Sequence, residues 1–508
     1  MSTLLGALLG LYLVCLFAVS LFAAKRVRSE EDYVVAGRRL PLWLAWATLL
    51  ATWFGAATIL GAAEAARAEG VRGTVLDPFA SGVALIVAGL FFARPLWNLR
   101  LLTIADFYGR AFGPRSEVVA SLILVPGYFG WIAAQYLALA GIQTTFFGVD
   151  PTAGMLIAAG IVLAYTLIGG MWSVTLTDAL QMSIVLVTLV VLAVASFAQL
   201  GGGSLAAGLG RLFEQTPGEA LTLLPEAGAA AAIVWLGTWG SGVLGNIPGQ
   251  DLMQRVFASN SARTAVNACV LAGVVYIGFG LIPVGLGLAS RILLPGDGDG
   301  EILAVLASQY LAPALTIVFV VSLVSIIVST ATSAVLSPAT ILGHNLLARL
   351  AAFRGRGLMA DRLSVLLITL ASLATAFSGK TILELLELSL SIGLVALFVP
   401  LVFGLYGRPR GELPALLAMG LGAVVWVARE ALEFILVAPD DTLGGASVTL
   451  AEQLTSGGAG GGAVAWAVFV FALLPSAITG TAASLAGYMA GTYWLRRAGQ
   501  RKGRPSLR

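Results

Sequence analysis

The sequence predicts an all-helical integral membrane protein, and three observations carry that expectation. The chain of 508 residues is 58% hydrophobic and only 11% charged, with a mean hydropathy of +0.94, far from the balance of a soluble domain with a hydrated surface. Apolar windows of about twenty residues, enough to cross roughly 30 Å of hydrocarbon, recur from one end to the other. Lys and Arg gather on one side of the alternating loops, as retained cytoplasmic charge does.

About thirteen spans are read: 3–24, 41–63, 74–96, 117–147, 152–169, 173–199, 228–248, 264–290, 311–342, 362–378, 382–406, 413–437 and 464–494. The first is too long for a signal-peptide core and lacks a good cleavage site, so it is kept as a leading helix. Cys15 and Cys269 both sit in apolar windows, which points to neither a disulfide framework nor a metal site. Alternating the loops puts seventeen Lys and Arg between Lys25 and Arg410, Arg255 among them, plus six from Arg496 onward, on one side. Five (Arg67, Arg72, Arg211, Arg291 and Lys380) fall on the other. A missed helix would invert every later loop. The N-terminus is therefore expected outside, and the basic tail 495–508 in the cytoplasm, of a multi-pass plasma (inner) membrane protein. The outer loops 200–227 and 438–463 are rich in Gly, Ala and acidic residues and show no sign of a folded domain.

Spans 41–199 form a group of five, and spans 228–406 a second five of opposite starting orientation, followed by two trailing helices in 413–494. Each group opens on an interrupted span: Gly55-Ala56-Ala57 in ATWFGAATILG, and Gly245 to Gly249 in WGSGVLGNIPGQ. Paired breaks in inverted halves expose backbone carbonyls and amides at mid-membrane, where a transporter holds its solute and ion. Glycines that let helices pack closely are the alternative reading.

Two polar features stand out in this apolar setting. Asp178, in GGMWSVTLTDALQ, costs about 2.5–3.5 kcal/mol at the middle of a span on insertion scales, so it faces a partner, a cavity or an ion, or else caps the helix near the interface. In SIIVSTATSAVLS, Ser325, Ser329, Ser333 and Ser337 recur at i+4 with Thr332 beside them, a ladder of hydroxyls on one helix face. Such a ladder either joins helices or supplies hard neutral oxygens to a dehydrated sodium ion.

SEEDYVVAGRRLPLW, ATWFGAATILG, GGMWSVTLTDALQ and VSTATSAVLSPATIL together resemble successive signatures of the sodium/solute symporter family, over residues 29 to 405. The resemblance implies a LeuT-type five-plus-five inverted repeat with one leading and two trailing helices. It implies a main sodium site at the carbonyls of Ala51, Phe54 and Ile326 and the hydroxyls of Ser329 and Thr330. A second sodium site of some members would fall on Asp178, Ser329, Thr332 and Ser333. ATWFG, GLFFARP and IPGQDLMQRVFAS are similar to the choline-transporter branch, which implies a substrate cavity at Trp53, Thr58, Asp77, Trp131, Gly249 and Gln250. Gly249 stands where that branch carries a tryptophan, so one wall of an aromatic cage is absent.

The implied activity is sodium-coupled import of a small organic solute by alternating access, with Na+ as the coupling ion and no other cofactor. Partners are that solute and the bilayer, with no nucleic acid. A proline, monocarboxylate or sugar symporter, proton coupling through Asp178, and a transmembrane sensor working with a partner are the alternatives. His344 reads as an interfacial histidine at the inner end of its span. No metalloprotease, phosphate-loop or nucleophile-elbow motif occurs in a credible context, so no enzyme is expected.

Overall fold

The computed structural model of the chain describes all residues except 1, 25–28, 227, 295, 297–300, 354–355, 409–410, 438–470, 472–473 and 503–508. The outer loop 438–463, the start of the last expected span and several of the counted loop charges lie outside the described residues. Among the described residues, regular structure is helix, apart from one isolated bridge between Leu40 and Ser259. Nine described helices are long and apolar enough to cross a bilayer, or ten when the pair Leu42–Trp53 and Ala57–Glu69, bent by 62°, counts as one span. Thr3–Val19 and Pro151–Leu167 are shorter apolar helices. These twelve overlie the first twelve expected spans, and the described part of the thirteenth is the helix Ser476–Lys502.

Three details differ from the sequence reading. The chain is helical from Pro151 to Leu200 with no break between the fifth and sixth spans. Tyr165 Oη nevertheless meets Thr177 Oγ1 at 3.1 Å. In a straight helix those residues would be about 18 Å apart along the axis, so the helix turns sharply between them. The outer segment 200–227 carries a helix of its own, Leu205–Gln215, started by the Ser204 hydroxyl accepting from Ala207 N. Arg255, counted as a loop charge, is 1% exposed, because the helix Gln250–Ala258 continues into the protein past the second break.

The chain forms two compact units. The first holds Met1–Phe107, Leu124–Leu224 and Gly249–Ser389. It contains the bent span, the helix with Asp178 and the hydroxyl-bearing helix Pro313–Ile341, whose described side chains from Ser325 to Ile341 are all buried. Its helices begin where the sequence supplies acceptors for free amides. Asp150 caps Ala153 N with Pro151 following, and Ser261 caps Thr264 N. The second unit holds Tyr108–Ile123, Pro225–Pro248 and Leu390–Arg508. There Tyr108 Oη donates to Leu397 O at 2.9 Å, and Tyr488 stacks on Phe403 with centroids 4.5 Å apart. The trailing helices Leu413–Val437 and Ser476–Lys502 pack closely, since a Cβ at Gly487 would stand 2.5 Å from Leu417 O. Large apolar side chains such as Leu90, Phe91, Val187 and Val274 stay exposed, as lipid-facing surface requires.

Candidate functional site

The site is built around the bend in the second span. The helix Leu42–Trp53 ends at Phe54, whose ψ of 66° leaves the helical region. Gly55 N turns back to Trp53 O at 2.8 Å, leaving Ala51 O without its usual backbone donor four residues on. Ala56 N is taken by the Gln135 side chain at 3.0 Å. Ala51 O instead accepts from Thr330 Oγ1 at 3.0 Å. Gly55 is obligatory for this approach: a Cβ there would come within 2.7 Å of Thr330 Cγ2 and 2.9 Å of Gln135 Oε1.

Asp178, fully buried, lies against Thr48, one turn before Ala51, and against Ser329, the residue next to Thr330. Thr48 Oγ1 donates to its Oδ2 at 2.5 Å, and Ser329 Oγ donates to its Oδ1. The structure thus brings together Ala51, Thr330, Ser329 and Asp178, with Ile326 one turn from Thr330 on the same helix. Thr332 Oγ1 bonds back to Ser329 O at 2.8 Å, which turns its hydroxyl onto its own helix. Two further rungs have cross-helix partners, Ser325 with Tyr12 at 2.7 Å and Ser337 with Gln254 at 3.3 Å, and Ser322, one turn before the ladder, meets Thr188 at 2.8 Å. Ser333 Oγ is buried with no hydrogen-bond partner among the described residues.

Beside the bend a second cluster gathers the substrate candidates around residues the sequence reading did not single out. Tyr276 Oη donates to Asp77 Oδ2 at 2.8 Å, lies 3.1 Å from Trp53 O, and contacts Thr58 Oγ1. Trp53 Nε1 donates to Asp251 Oδ2 and Tyr128 Oη to Asp251 Oδ1, each at 2.5 Å. The Trp131 ring lies 6.0 Å from that of Tyr128, and its backbone N donates to Ser389 Oγ at 2.9 Å. Gln250 is a correction to the expected cavity set. Its Oε1 accepts from Ile104 N at 2.7 Å, so the amide holds the backbone entering the helix Ile104–Phe112. Gly249, half-buried, caps the helix that carries Asp251 and Arg255.

Gln135 and Tyr276 are single polar groups with no periodic company, and Thr48 recurs only with Thr52 four residues on, which leaves little pattern to read. Asp251 did leave a signal, an acid two residues past the second break.

A polytopic helical bundle with a bent span wrapped by hydroxyls is the architecture of a membrane transporter. Residues 33–422 match the sodium:solute symporter family, and the chain belongs to it. It is 27% identical over 433 residues to the human high affinity choline transporter 1, covering 79% of this chain and 72% of that one. Identity to the Caenorhabditis elegans high-affinity choline transporter 1 is 26% over 449 residues, covering 81% and 75%. Identity to the osmoregulated proline transporter OpuE of Bacillus subtilis is 24% over 446 residues, covering 82% and 88%. A sodium-coupled sialic acid symporter solved substrate-bound in an outward-open state matches with a TM-score of 0.71 at 17% identity, covering 96% and 98%. The nucleobase-cation-symport-1 transporter Mhp1 matches with a TM-score of 0.56 at 16% identity, covering 92% and 95%. The fold is accordingly of the LeuT type. The protein is a solute symporter, not an enzyme.

Proposed function

We propose that the protein imports a small organic amine, coupled to sodium entering at the bend of the second span. The observation that supports sodium is the Thr330 hydroxyl set 3.0 Å from the Ala51 carbonyl that the bend has freed. Two oxygens already converge there, with Ser329 beside them and the carbonyls of Phe54 and Ile326 to complete a neutral set. Asp178 with Ser329 and Ser333 offers a second oxygen set one turn away. For the solute, Asp251 supplies a buried carboxylate held by Trp53 and Tyr128, with the Trp131 ring next to that of Tyr128. A cation above such faces gains about 2 kcal/mol when desolvated.

With the N-terminus outside and the basic tail in the cytoplasm of the plasma membrane, sodium moves inward down its gradient and the membrane potential. One charge crossing 100 mV yields about 2.3 kcal/mol, enough for about fifty-fold accumulation. Loading at the bend would favour the outward-open form, and the solute would complete closure. The test is uptake of labelled choline into proteoliposomes under an imposed sodium gradient, with lithium and potassium as controls and proline as the competing solute. Uptake that needs sodium and is competed by other quaternary amines is expected. Sodium-driven uptake of proline without choline would overturn the amine assignment, and choline uptake unaffected by replacing sodium would overturn the coupling ion.

A further inference from the structure

Arg255 is 1% exposed, yet most of its guanidinium is unused. Nη1 donates to Asp251 O at 3.1 Å and to Gln254 Oε1 at 3.3 Å, while Nε and Nη2, the two-donor edge that fits a carboxylate, have no hydrogen-bond partner among the described residues. A buried charged donor left open in this way needs a reason. The surroundings supply one. Gln254 is pinned by its Nε2 to Val34 O at 2.6 Å and by its Oε1 to Ser337, which anchors the base of the arginine against the hydroxyl-bearing helix. One turn up that helix is Ser333, its hydroxyl also without a partner, and one turn further is Ser329 on Asp178. Arg255 lies within electrostatic reach of both Asp178 and Asp251. All four oxygens of those acids are already taken, by Thr48, Ser329, Trp53 and Tyr128, and none by the guanidinium.

We infer that Arg255 is the internal counter-cation of the empty carrier. Its open Nε–Nη2 edge takes the Asp178 carboxylate once sodium has left, passing the unpartnered Ser333 hydroxyl, and gives it up again when sodium returns. The inference rests on the proposed sodium-coupled transport and goes one step past it. It concerns the return step, in which a transporter must reorient with neither ion nor solute aboard. An unpaired buried carboxylate would slow that step, whereas exchange of loaded carriers does not pass through it.

The experiment compares net sodium-driven uptake with solute exchange at saturating sodium on both sides, in proteoliposomes of the wild type and of R255Q, using the solute that the wild type transports. In R255Q net uptake is expected to fall about tenfold relative to exchange, with a lower half-saturating sodium concentration in exchange because sodium loses its competitor. Net uptake and exchange falling in parallel, or an unchanged ratio, would overturn the assignment. R255K provides a second variant should R255Q not fold. It keeps the charge but loses the two-donor edge, so its ratio is expected to fall at least about twofold, and a ratio equal to the wild type overturns the idea. A wild type that neither takes up nor exchanges solute with sodium would instead remove the functional reading on which the inference stands.

Discussion

Asp178 and Asp251 are both buried acids of the same unit, but they are satisfied by different chemistry. Asp178 is held by two aliphatic hydroxyls, Thr48 and Ser329, and stands beside the freed carbonyl at Ala51. Asp251 is held by an indole N–H and a phenol, with a third aromatic ring next to the phenol. A hydroxyl can turn its lone pairs toward a cation and become a ligand. An indole N–H has no lone pair to offer, but its ring has a negative face. The first acid therefore sits in surroundings suited to a bare alkali ion, and the second in surroundings suited to an organic cation.

That contrast breaks if the two acids respond alike. Ser329→Ala with Thr330→Ala removes two neutral oxygens from the bend and is expected to raise the half-saturating sodium concentration about a hundredfold in proteoliposome uptake, at about tenfold for each lost contact. An unchanged sodium requirement would remove the ion from this place. Asp251→Asn is expected to raise the solute KM roughly thirtyfold while the sodium requirement stays within about threefold, since a charge-assisted contact is worth about 2 kcal/mol. A sodium requirement that moved with the KM would merge the two sites into one. Trp53→Phe keeps a ring and deletes one donor to Asp251. It sharpens the contrast with a smaller loss, about fivefold in KM for amine solutes, measured by competition against labelled solute.

How much of this was legible in the sequence follows the same division. The proposed ion side is written in patterns: glycine at a bend, and hydroxyls spaced at i+4 and facing a lone acid. Ser329 and Asp178 stood out by that pattern, Ala51 and Thr330 came from the family resemblance, and the four are brought together. The proposed solute side rests on isolated residues from distant parts of the chain. Nothing local distinguishes Tyr276 from any interfacial tyrosine, and only packing shows Tyr128 meeting Asp251 across 123 positions of sequence. Arg255 was hidden for a different reason. Hydropathy ends a span at a charge, so an arginine on a helix that re-enters the protein after Gly249 is counted with the loops. Gln250, beside it, was placed in the cavity by resemblance, but its amide serves the backbone at Ile104.

A third arrangement of acids sharpens the comparison further. Glu64 and Glu301 line a cavity of about 270 Å³ with Leu137, Thr144, Thr145 and Met155. Here the partner of one carboxyl is the other carboxyl, and Glu301 Oε2 has no hydrogen-bond partner among the described residues. Burial, and then the neighbouring charge of Glu64, push the Glu301 carboxyl well above its ordinary value of 4.5. The folded protein therefore holds this proton more tightly than the unfolded chain does. The stability it contributes is complete below the ordinary value and is lost as pH rises through the raised one. Glu301→Gln keeps the shape without the charge. The variant is expected to match the wild type near pH 4.5 and to exceed its Tm by about 2 °C at alkaline pH, in thermal unfolding followed in detergent. If Asp178 and Asp251 are the acids that transport uses, this variant leaves sodium-driven uptake at neutral pH unchanged. A loss of uptake would instead make the Glu64–Glu301 pair part of the solute path.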